Sequence, residues 1–143
     1  MSVRELIAAN IKTAITAMTS PVAAVYVTRE PFDFQKLSNA QFPAVLIETA
    51  SETRADITIG ESLKRHATID YRIIGYVKGA SIDTARNNLI EAIEEKLDAD
   101  RTRGGNAIDT QTVSVDIDNG SITPIGGIIL TVRVTYQFTR GIS

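Results

Sequence analysis

Cysteine and tryptophan are both absent from the chain, and histidine occurs once, as His66. Without cysteine there can be no disulfide staple, thiolate zinc site or cysteine nucleophile. His66 then has no cysteine to complete a zinc set or a nucleophilic triad, and it reads as an ordinary solvent-face residue. Tyr26, Phe32 and Phe34 are not interleaved with basic residues, so no base-stacking platform is present. A charge excess is also missing: 15 basic and 17 acidic residues leave a net charge of -2, which argues against tight binding to a phosphate backbone. No apolar run approaches ~20 residues, and Met1-Ser2-Val3-Arg4-Glu5-Leu6 lacks the basic and apolar regions of a signal peptide. The sequence therefore predicts neither export nor membrane anchoring, and Asn119-Gly120-Ser121 reads as a turn rather than a glycosylation site.

What is present is enough for one core. A chain of 143 residues with 43% hydrophobic content can bury roughly 68% of its unfolded surface, which predicts a single domain over residues 1–143. Ser2 and Glu5 have the spacing of a capping box, and Val3, Leu6, Ile7, Ile11, Ala14, Ile15 and Met18 form one helical stripe ended by Ser20-Pro21. Ala23–Thr28 and Phe42–Glu48 read as strands, with Pro43 at the start or edge of the second because it cannot donate to a ladder. Ala67, Ile69, Tyr71, Ile73 and Val77 alternate with polar residues, the period of a half-buried strand. A second amphipathic helix follows to Asp98, with Ser81 as its cap, Asp83 near its positive end, and Ala85, Leu89, Ile93 and Leu97 on one face. Val113, Val115 and Ile117 alternate in a fourth strand. In the fifth, Ile128, Leu130, Val132, Val134, Tyr136 and Phe138 point one way. The expected fold is α+β, an antiparallel or mixed sheet with both helices on one face, in the order α-β-β-β-α-β-β. The helix faces should pack against Val132, Val134 and Tyr136.

The remaining motifs carry little chemistry. Asp116-Ile117-Asp118-Asn119-Gly120 lacks the ligand spacing and closing acid of a calcium loop and reads as a β-turn. Gly104-Gly105 and Gly126-Gly127 fit no phosphate-binding pattern and read as punctuation at positive φ. Glu91, Glu94, Glu95, Asp98 and Asp100 read as a charged outer face balanced by Arg101 and Arg103. No catalytic residue, metal site or cofactor is expected.

Strand length is more informative. A domain of this size is about 40 Å across, and a strand from Ile128 to Arg140 at ~3.3 Å per residue spans as much. Such strands must curve around the domain or project from it, and projection implies a neighbour, because unpaired edges are sticky. The polar insert from Ser51 to Lys64 is either a simple hairpin loop or an assembly arm. As an arm, its subunit-interface candidates are Glu52, Arg54, Asp56, Ile57, Ile59 and Glu61, whose alternation suits pairing with a neighbour's sheet edge. Alone, the stretch from Glu52 to Ser62 has too few apolar groups to order and should be mobile.

Four features, taken in order, resemble the tail terminator (minor tail protein U-like) family of long-tailed bacteriophages. They are the Leu6–Met18 helix, the strand start Phe42-Pro43-Ala44-Val45, the run Asp100-Arg101-Thr102-Arg103-Gly104-Gly105-Asn106-Ala107, and the closing strand Val132-Arg133-Val134-Thr135-Tyr136-Gln137-Phe138. They span nearly the whole chain. The family usually has an apolar residue before the paired glycines, where this chain has Arg103. The resemblance implies a non-enzymatic virion protein that forms a hexameric ring at the head-proximal end of the tail. Such a ring caps the tail tube, stops its polymerisation and joins the head–tail connector, while viral DNA passes through without specific binding; assembly would take place in the host cytoplasm. The alternatives are a neck or tail-completion protein of similar fold, or a small ligand-binding or enzymatic α+β domain.

Overall fold

The computed structural model describes residues 2–19, 22–30, 41–56, 64–78, 81–117 and 125–139. Among the described residues, two helices, α1 (Val3–Thr16) and α2 (Ile82–Asp98), accompany five strands: β1 (Tyr26–Thr28), β2 (Ala44–Asp56), β3 (Lys64–Lys78), β4 (Asp109–Ile117) and β5 (Ile125–Thr139). The expected α+β order is found. The strands form one sheet in the order β1-β2-β3-β5-β4. Only the β1–β2 pair is parallel, so the sheet is mixed.

Helix α1 starts as half a capping box. The Ser2 hydroxyl accepts the Glu5 amide at 3.1 Å. The expected return bond is replaced, because the Glu5 carboxylate receives the Arg29 guanidinium through two bonds of 2.6 and 3.0 Å. Ile7, Ala8, Ile11 and Ile15 are buried, whereas Leu6, expected in the stripe, lies on its margin and stays 37% exposed. In α2 the expected cap also fails: Ser81 occupies the N-cap position, but its side chain makes no capping bond. Leu89, Ala92, Ile93 and Leu97 face inward as expected.

Both helices lie on one side of the sheet, against Ile69, Tyr71, Ile73, Leu130, Val132, Val134 and Tyr136, as predicted. A Cβ added to Gly75 would come within 2.6 Å of Leu89 Cδ2, and one on Gly126 within 2.4 Å of Ile82 Cγ2. Glycine at 126 is therefore a close-approach residue inside β5, not the positive-φ punctuation expected there. Gly104 and Gly105 do adopt positive φ, at 71° and 88°. Pro43 sits just ahead of β2, where its carbonyl accepts the Val25 amide at 2.8 Å. β1 itself spans only Tyr26–Thr28, shorter than the expected Ala23–Thr28 strand.

The larger departure is in β2, which runs past Glu48 to Asp56. A bulge at Ala50 separates Thr49, opposite Tyr71, from Ser51, opposite Asp70. The extra residue reverses the alternation, so Glu52 and Arg54 come opposite Ile69 and Ala67 on the helix side. A similar bulge at Val113 lies between Thr112, opposite Val132, and Ser114, opposite Thr131. The 15 residues of β3 or β5 extend about 50 Å, whereas the 17 of α2 extend about 26 Å. The strands outrun the helix packed on them.

Candidate assembly surface

The interface candidates divide into three groups. Glu52 and Arg54 lie on the helix side of β2, engaged within the chain: the Tyr136 hydroxyl donates to Glu52 Oε1 at 2.6 Å, and Arg54 Nε donates to Glu52 Oε2. Burial, followed by this bond to a carboxylate, pushes the Tyr136 hydroxyl up to about 12. Asp56 closes the strand opposite Arg65, so the backbone from Glu52 to Asp56 is paired with β3 in the single chain. That finding overturns the expectation of a mobile segment for those five residues. Ile57, Ile59 and Glu61 lie outside the described residues.

The outer edge of β2 forms a cleft. β1 pairs only with Ala44, Val45 and Leu46, and from Ile47 onward no described strand covers this side. Where β1 ends, a cleft of about 700 Å³ opens, lined among others by Glu5, Lys12, Arg29, Ile47, Thr49 and Arg72. Its charges are partly internal pairs: Arg29 holds Glu5 below the usual carboxylate range, and Arg72 lies 3.6 Å from Glu48.

The opposite edge belongs to β4. Val113, Val115 and Ile117, expected to alternate with polar residues in a strand, are 40%, 39% and 42% exposed. Val115 and Ile117 do face the helix side, opposite Leu130 and Ile128, but no described strand flanks them. Three apolar side chains thus stand in a row on an edge strand.

Between α2 and β4 the chain makes a turn whose central residue the sequence misassigned. Arg103 is attracted by Asp98 and Asp100, as expected, but from inside the turn rather than from the outer face. It is fully buried at φ 50°, and its Nη2 donates to the carbonyls of Leu97, at 2.6 Å, and Asp100. A cation here meets the negative end of α2, yet burial still lowers its proton affinity, and its Nε and Nη1 find no partner among the described residues. Asp100 accepts the amides of Gly104, at 2.7 Å, and Thr102, at 3.1 Å, which hold its carboxyl below the usual range. Arg101 pairs with Asp109, at 2.8 Å, and is also attracted by Asp98. The signal available in the sequence was Arg103-Gly104-Gly105 itself, three residues in succession at positive φ.

On the open face of the sheet, His66 lies between Ala55 and Gln137, and Arg133 bridges to Asp70 at 2.9 Å. Among the described residues no three or more His, Asp or Glu side chains gather as a metal site, and no helix is long and apolar enough to cross a membrane. The Asp118-Asn119-Gly120 turn lies outside the described residues. No protein-family model matches the chain, and no curated protein matches it significantly. Among solved structures, it is similar to a chain from the virion of a native gene transfer agent (GTA) particle, with 13% identity and a TM-score of 0.45 over 96% of this chain and 92% of that one.

Proposed function

We propose that this chain is a non-enzymatic virion subunit, a single domain that assembles into a hexameric ring at the head-proximal end of a phage tail. The ring caps the tail tube, stops its growth and offers its other side to the head–tail connector, while DNA passes through its centre. One observation carries the assembly part of this reading: the sheet outruns its helices, and among the described residues both of its edges are without a flanking strand over most of their length. A chain that presents two strand edges invites pairing with another chain. The tail part is supported by the four ordered motifs and their resemblance to the terminator family. A near-neutral net charge of -2 suits a passage for DNA that must slide without sticking.

The test is particle assembly with and without the chain. Tails of uncontrolled length in its absence, and a labelled chain found as a ring at the head-proximal end, are the expected results. Normal tails without it, or turnover of any substrate lost on His66→Ala, would overturn the reading.

A further inference from the structure

The two edges that no described strand flanks fit each other. We infer that β4 of one copy adds antiparallel to the outer edge of β2 in the next, with Ile117 of the first opposite Ile47 of the second and Asp109 opposite Ala55. The proposed ring enters in one respect only, that the partner is a second copy of this chain.

Direction comes first. β2, β3, β5 and β4 are successively antiparallel, so β4 runs opposite to β2. A sheet continued from copy to copy therefore meets itself antiparallel at each junction, without inverting a subunit. Length agrees as well. β4 has 9 residues, and the part of β2 beyond β1 begins at Ile47 and ends at Asp56. Such a junction is head-to-tail, the kind that continues beyond a dimer and gives a ring where the rotation between copies closes.

The bulges fix the register. On β2, Ile47 and Thr49 face the helix side before Ala50, as do Glu52 and Arg54 after it. On β4, Ile117 and Val115 face that side before Val113 is reached, and Thr112 and Thr110 do so beyond it. Opposite residues in a sheet share a face, so the two phase reversals must coincide. In the stated register Ile117 meets Ile47, Val115 meets Thr49, Thr112 meets Glu52 and Thr110 meets Arg54, and the two bulges fall side by side. A shift of two residues leaves Val115 opposite Ser51, with the faces mismatched between the bulges. A shift of one mismatches the flanks.

The cleft beside Ile47 and Thr49 lies where Ile117 and Val115 of the neighbour would enter, and Ile47 is the apolar contact it offers, since Glu5, Lys12, Arg29, Glu30, Glu48 and Arg72 make the rest of its lining mostly charged. Neither proline nor lysine, the usual protection of a free edge, occurs between Asp109 and Ile117. One opposition is unfavourable, Asp116 against Glu48, and it provides a directional test.

The chain has no cysteine, so engineered pairs report cleanly. Thr53 and Gln111 are exposed and opposite each other in the stated register. Opposed residues place their Cα atoms about 4.5–5.5 Å apart, within disulfide reach. The Thr53→Cys/Gln111→Cys double variant, oxidised at concentrations that bring copies together, should give a covalent ladder ending at the ring size. A mixture of the two single variants should stop at dimers, and each single variant alone should stay uncrosslinked. Ser51→Cys/Gln111→Cys, out of register by two, should crosslink at least tenfold less. Asp116→Asn should shift association, read by sedimentation, to severalfold lower concentration. Crosslinking equal in both double variants, dimers from a single variant, or no crosslink at all would overturn the inference. Rings seen by microscopy that fail to crosslink would sink this junction and leave the ring standing, whereas crosslinked oligomers that never cap tails would do the reverse.

Discussion

Replacing Arg103 by leucine should leave the fold almost as stable as before, while replacing it by alanine should not. The buried guanidinium donates two hydrogen bonds to carbonyls at the end of α2. Bonds from a charged donor contribute about 1.5–3 kcal/mol each. Against them stand Nε and Nη1, buried without partners, which cost about 1–3 kcal/mol each, together with the desolvation of the charge, several kcal/mol more. The polar terms thus cancel or turn unfavourable, and what holds the turn together is the packing of the aliphatic stem. Leucine keeps most of that stem at the same positive φ, so Arg103→Leu should fall within about 1 kcal/mol of the parent. Alanine deletes roughly three methylene equivalents at ~0.8 kcal/mol each and leaves a cavity, so Arg103→Ala should lose about 2–4 kcal/mol. Urea unfolding with the m-value held constant measures both. If Arg103→Leu loses as much as Arg103→Ala, the hydrogen bonds dominate and the argument from unpaired N–H groups is wrong.

Leu89→Ala should lose about 2–5 kcal/mol, because the side chain is fully buried against β3 and β5. Gly75→Ala should lose about 1–3 kcal/mol by overlap with Leu89 Cδ2, and the double variant should lose less than the two losses added, as a double-mutant cycle in denaturant would read. The Tyr136 hydroxyl, raised to about 12, stabilises the fold fully below the ordinary tyrosine value of 10.0. That contribution should vanish between there and about 12, with phenolate absorbance appearing late in the folded protein and earlier in Glu52→Gln. Asp100, held below 3.8 in the folded chain, contributes above that pH and loses its effect as pH falls through the lowered value, so Asp100→Asn should flatten the acid limb of a thermal-stability profile.

The periodic elements were legible because each has one buried face and one register. In β5, the residues from Ile128 to Tyr136 alternate without interruption, and the structure buries the face that the alternation assigns. β2 was legible only to Glu48. The bulge at Ala50 shifts the phase by one residue and then brings Glu52 and Arg54 to the inner side, so a continuing strand looks like a polar insert. Arg103 was misplaced for a related reason: its charge suggests solvent, but its guanidinium is folded onto carbonyls that α2 itself leaves open. Alternation in β4 gave a strand but not its exposure, which follows from its place at the end of the order β1-β2-β3-β5-β4. Which strands become edges depends on that order, and periodicity within one strand carries no information about it.

If the proposed junction forms, its energetics favour closure into a ring. Val115 and Ile117, the two side chains this junction covers, are each about two-fifths exposed, and covering them contributes on the order of 3 kcal/mol. The main-chain bonds of a nine-residue edge add a smaller amount, because they replace bonds to water. Association costs at least about 4 kcal/mol in lost translational and rotational freedom, so one junction alone is weak. The last copy to enter a ring makes two junctions while losing that freedom once, which favours closed rings over open chains of any length. Asp116 against Glu48 acts in the same direction: it weakens every junction by a little, and an open chain with one junction per added copy has less to offset it. On the proposed reading, such a chain would stay dispersed until a surface, such as the end of a tube, gathers its copies.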